Sequence, residues 1–185
     1  MDRGTSPGVI RSPISGDAFM ARVIPHDKAA QISDRLFERI SESGRYDLVS
    51  PAQAQGVISS LMSTHSTISE IEILKRTGKA FSADAVLAGY LYRWEERVGG
   101  DYAVKTPASV AFDLHLIRPS DGASLWKERF DMTQKSLSEN LLEMDTFLEG
   151  HGKWMTADQM ADVGLDRILG VNPPPPPQSP GEPAP

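Results

Sequence analysis

The chain has no cysteine, and that absence removes disulfides, thiol catalysis, cysteine-bound zinc and iron–sulfur clusters from consideration. No apolar run approaches the ~20 residues that a bilayer-spanning helix needs, and Met1-Asp2-Arg3-Gly4 lacks the apolar core of a signal peptide. Dense blocks of Lys or Arg are also missing. With 19 basic and 25 acidic residues the net charge is −6 and the pI about 5.2, so the surface repels phosphate backbones and no nucleic-acid partner is expected. A glycine-rich phosphate loop is absent, Gly99-Gly100 being a lone pair. None of His26, His65, His115 and His151 has a second histidine at i+2 to i+5, so neither a metal site nor a cofactor is signalled.

What is present is ordinary globular composition, 39% hydrophobic and 24% charged over 185 residues. A body of about 150 residues buries roughly 68–70% of its unfolded surface, enough to fold without covalent staples. Residues 1–16 are dense in Gly, Pro and Ser and read as a flexible arm; residues 17–171 read as a single α/β domain. Residues 172–185 read as a disordered tail, because Pro173 to Pro177 and the residues after them offer no apolar side chain to bury.

Within the body, Asp17 to Ile24 is a short strand candidate. Asp27 to Ser43 sets Ile32, Leu36, Phe37 and Ile40 on one helical stripe, opened by Asp27 and closed by Gly44. Tyr46 to Val49 reads as a second short strand. Three capping boxes follow, Ser50 with Gln53, Thr67 with Glu70 and Thr156 with Gln159. The second opens a helix turning Ile71, Leu74 and Phe81 inward; the third opens one with Met160, Val163, Ile168 and Leu169 as its stripe and Met155 and Met160 as a staple. Ser138 to Met144 is a weaker helix signal, and Phe147, Leu148 and Trp154 are apolar anchors in a polar connector.

Between these helices lies a three-strand meander. Its first strand, Val86 to Trp94, is apolar on both faces at its start and reads as central. In the second, Val110, Phe112, Leu114 and Leu116 face inward while Asp113 and His115 face out. The Asp121-Gly122 turn joins it to the last strand.

Two kinds of site are candidates. Ser109, Asp113 and His115 share a strand, but in a row rather than around a substrate, so the expectation is no enzyme. Tryptophan is favoured at interfaces, and Trp94, Trp126 and Trp154, with Tyr102 in the loop from Arg97 to Pro107, are the candidate partner-binding residues.

The order strand, helix, strand, two helices, three antiparallel strands resembles the amino-terminal domain of TolB and the CsgG-type bacterial envelope lipoproteins. The likeness rests on Ser43-Gly44-Arg45-Tyr46-Asp47-Leu48-Val49, Ala83-Asp84-Ala85-Val86-Leu87-Ala88-Gly89-Tyr90, Asp113-Leu114-His115-Leu116-Ile117 and Asp121-Gly122, and covers residues 17–131. It implies an α+β fold, a mostly antiparallel sheet of about five strands with helices packed on it. It also implies a non-catalytic lipoprotein that binds a protein partner, on the periplasmic side of a bacterial membrane, anchored through a lipidated cysteine. A chain trimmed just after that anchor would account for both Met1 and the absent cysteine. The alternatives are a periplasmic or cytoplasmic hydrolase with its site at the strand ends, and an oligomeric secretion-pore subunit, although the long amphipathic hairpins of a pore are missing.

Overall fold

The computed structural model describes residues 8–64, 67–100, 104–135, 153–171 and 173–175. Its elements are β1 (Gly8–Arg11), β2 (Ala18–Ala21), α1 (Lys28–Glu42), α2 (Pro51–Thr64), α3 (Glu70–Ala80), β3 (Val86–Glu95), β4 (Val98–Gly99), β5 (Val104–Thr106), β6 (Ser109–Ile117), β7 (Ser124–Thr133) and α4 (Ala157–Val171). The fold is α+β, and the strands form three antiparallel sheets, β1-β2, β3-β6-β7 and β4-β5. The chain divides into two compact units. One gathers Met1–Ile32, Tyr90–Asp113 and Arg129–Asn172, the other Ser33–Gly89, Leu114–Glu128 and Pro173–Pro185.

The central strand of the meander is β6, not β3 as its apolar start suggests. Every residue of β6 is buried, Asp113 and His115 included, at 2% and 1% exposure. Alternation of polar and apolar residues along that strand therefore does not mark a solvated face. The hairpin turn behaves as expected: Gly122 takes a left-handed φ of 83°, and the Asp121 carboxylate accepts the Ala123 N–H at 2.9 Å.

In the first unit, residues expected to be a loose arm form β1, paired with β2 in the register Val9↔Met20 and Ile10↔Phe19. The breakers flank Val9-Ile10-Arg11 without interrupting it, so a four-residue strand is free to pair. Gly16, at φ 75°, reverses the chain, and the Ser12 hydroxyl accepts the Ile14 and Ser15 N–H groups. The inward residue Phe19 stacks on Tyr92 with centroids 4.0 Å apart. The N–H of Arg22, the residue after β2, donates to the Tyr92 carbonyl of β3 at 3.0 Å.

The last helix, α4, opens on a reciprocal box: the Thr156 N–H reaches the Gln159 carboxamide at 2.9 Å, and the Gln159 N–H reaches the Thr156 hydroxyl at 3.2 Å. Met155 and Met160 are both buried, as a staple requires. Its inward stripe is Met160, Ala161, Gly164, Leu165 and Ile168, with Val163 and Leu169 only half-buried. The shift has a steric cause, since a Cβ on Gly164 would lie 2.9 Å from the Phe130 ring, which itself packs on Phe112 at 5.3 Å. Ser138 to Met144, Phe147 and Leu148 lie outside the described residues.

In the second unit, Gly44 ends α1 at φ 62°, and Tyr46 to Val49, expected as a strand, pairs with no other strand among the described residues. The Ser50–Gln53 box opens α2. Ser69, not Thr67, caps α3, its hydroxyl accepting the Glu72 N–H at 3.3 Å; Ile73 and Leu74 are buried, while Ile71 and Phe81 are half-buried. The helix closes in a Schellman arrangement, with Ala83 N–H to Gly78 carbonyl at 2.9 Å and Ser82 N–H to Lys79 carbonyl at 3.1 Å. Ser82 occupies the left-handed position, φ 51°, that glycine ordinarily fills.

Two substitutions at this helix end should move stability in opposite directions. Ser82→Gly relieves the left-handed residue and is expected to stabilise by about 0.5–1 kcal/mol in chemical denaturation. Gly78→Ala would place a Cβ 2.3 Å from Pro119 and 2.8 Å from Val86, and is expected to cost about 1–3 kcal/mol.

Candidate functional site

A set of buried and half-buried polar groups lies in the first unit, where β2, β3, β6 and β7 meet at Arg93. The Arg93 guanidinium donates to the Ser109 hydroxyl at 2.6 Å, the Met20 carbonyl at 3.1 Å and the Asp131 carboxylate at 2.6 Å. Arg129 takes the other oxygen of Asp131 at 2.6 Å and lies over the Phe19 ring at 4.1 Å. Burial alone would raise the Asp131 carboxyl, but its hydrogen bonds and charge contacts with Arg129 and Arg93 outweigh that and hold it below the ordinary aspartate value.

Beside this hub, the Tyr92 hydroxyl donates to Asp113 at 3.0 Å. Burial pushes the phenol up, a hydrogen bond with Ser12 works the other way, and the Asp113 carboxylate reinforces burial. Tyr92 therefore stays neutral and remains a donor across the physiological range.

The geometry does not gather Ser109, Asp113 and His115. At ~3.3 Å per residue, Ser109 and Asp113 stand about 13 Å apart along β6, with His115 two residues further on. The Ser109 hydroxyl accepts from Arg93, contacts the Thr133 hydroxyl and donates to the Met132 carbonyl at 3.3 Å, so its partners are a cation, a second alcohol and a backbone carbonyl. The expectation that the chain holds no Gly-x-Ser-x-Gly run is corrected by Gly4-Thr5-Ser6-Pro7-Gly8, which has the spelling of a nucleophile elbow. That motif needs a strand before the serine and a helix after it, whereas Gly8 opens a strand.

The tryptophans do not form the expected surface. Trp94 and Trp126 are buried, because a large ring on a strand facing a packed layer hides more area inside than at a rim. Trp94 lies beneath the Lys28 ammonium at 4.9 Å, Trp154 is half-buried, and Tyr102 is outside the described residues. Several exposed apolar side chains lie elsewhere in this unit, four of them close together in sequence. Val9 is 65% exposed, Ile10 51%, Met20 48% and Val23 61%, on and just after the β1-β2 hairpin. Val9 and Met20 are direct cross-strand partners and share the outer face.

No family model matches the chain, and no curated protein does. Among solved structures it is similar to lipoprotein GNA1162 from Neisseria meningitidis, at 14% identity over 80% of this chain and 90% of that chain, with a TM-score of 0.45. That similarity is too distant to carry an argument about activity.

Arg93 is the residue that the sequence reading misses, although it leaves a trace: a lone cation inside the apolar run Leu91-Tyr92-Arg93-Trp94 needs a buried partner. Arg93→Met is expected to destabilise by about 2–4 kcal/mol, less than the full loss of a buried pair because Asp131 keeps Arg129. A lowered aspartate contributes stability above its unfolded value near 4, lost as pH falls through its lower folded value. Urea titrations from pH 6 to pH 2 should therefore show a smaller acid-dependent loss in the variant than in the natural chain.

Proposed function

We propose that the chain is a non-catalytic, protein-binding domain of a bacterial envelope lipoprotein, displayed on the periplasmic side and anchored by a lipid at its amino end. The sequence likeness to the TolB amino-terminal domain and to CsgG-type lipoproteins supports the location and the anchor. Its spent polar groups support a binder: Arg93, Ser109, Asp131, Tyr92 and Asp113 are engaged with one another. The observation that carries the reading is the apolar outer side of the β1-β2 hairpin, where the cross-strand partners Val9 and Met20 stand exposed on one face, with Val23 exposed just after the hairpin. Clustered apolar exposure of this kind is a mark of interaction surfaces on soluble domains.

A photocrosslinking residue at Val9 or Val23, in the protein expressed from its native gene, tests this reading. The expected result is one discrete protein adduct in the membrane fraction, and the adduct from position 23 is lost on Val9→Asp with Met20→Asp while the melting temperature stays unchanged. No adduct from either position would overturn binding at this surface. Failure of the full-length product to incorporate labelled palmitate would overturn the anchor.

A further inference from the structure

The run Pro173 to Pro177 offers no apolar chain of the usual kind, yet its first residues are packed. Pro174 is buried, Pro173 and Pro175 are half-buried, and the Tyr46 hydroxyl donates to the Pro174 carbonyl. Tyr46 is itself half-buried, in the loop after Gly44, and the Arg45 guanidinium lies 5.7 Å from its ring. All of these residues belong to the second unit.

Consecutive prolines have little conformational choice. The ring fixes φ near −65°, and each proline forces the residue before it out of the helical region, so Pro173 and Pro174 are driven toward polyproline II. That conformation has no internal hydrogen bonds, which leaves its carbonyls as acceptors for an outside donor. An aromatic side chain offering a flat apolar flank and a polar tip is how proline-rich strands are held elsewhere, at low ordering cost because the ligand is already extended. Tyr46 supplies both features.

We infer that Tyr46 anchors a recognition site for a proline-rich strand, and that the chain fills this site with its own Pro173–Pro175. The segment is tethered, so it occupies the site at an effective concentration on the order of millimolar. A free segment of the same chemistry enters only by displacing it, which makes the tail a built-in competitor. The inference is independent of the lipid anchor and of the β1-β2 surface.

Because the chain lacks cysteine, Gln178→Cys provides a single thiol for a fluorophore on the tail of the otherwise intact protein. Steady-state anisotropy then reports docking. Tyr46→Ala should lower the anisotropy toward that of a free labelled tail peptide. Tyr46→Phe keeps the ring and removes only the donor, and should lower the docked-to-free ratio about 3- to 10-fold with the melting temperature unchanged. An unlabelled peptide of residues 171–185, added to about 10 mM, should release the tail in the Gln178→Cys protein and have no effect when Tyr46→Ala is added. Equal anisotropy with tyrosine and phenylalanine at position 46, or no release by the peptide, would overturn the inference. The phenylalanine variant and the competition decide the matter even where the alanine variant fails to fold.

Discussion

A single buried guanidinium organises the first unit. Arg93, on β3, reaches the backbone of β2 through Met20, the hydroxyl of β6 through Ser109 and the carboxylate of β7 through Asp131. Removing a cation from water costs several kcal/mol, and only a full set of well-placed acceptors offsets that cost. Arginine suits the position because its planar fork presents donors in several directions at once, which a lysine ammonium on its flexible stem does not. The β1-β2 hairpin, too short to be stable alone, is held by this contact, by the Arg22–Tyr92 backbone bond and by the Phe19–Tyr92 stack.

The polar side chains of this unit are engaged with one another: Ser109 with Arg93, Tyr92 with Asp113, Asp131 with two arginines. Val9 and Met20 stand exposed on the outer face of the hairpin, whereas Trp94 and Trp126 are drawn into packing. A partner reading built on Val9 and Met20 thus differs in location, though not in kind, from one built on Trp94 and Trp126.

Local signals were the legible part of the chain. The Ser50 and Thr156 boxes, Gly44, the Asp121-Gly122 turn and the α1 stripe of Ile32, Leu36 and Ile40 all act over a few residues, and each appears where its pattern stands. Less legible were choices between similar local options, such as Ser69 over Thr67 as the cap of α3, or Gly164 over Val163 on the inward side of α4. There a distant neighbour decides, as the Phe130 ring does at Gly164.

The sequence by itself determined the class of object: an α+β chain without cysteine chemistry, with helices capped at readable points and a meander joined by a tight turn. Only the tertiary structure decided that β6 is the central strand, that Asp113 and His115 are inside, that Arg93 is a hub and that the Tyr46 hydroxyl donates to the carbonyl of a buried Pro174. The physical reason is range. Caps and turns are settled by hydrogen bonds within one turn of chain, whereas the burial of a charge or a proline is settled by partners many tens of residues away, and no periodicity records them.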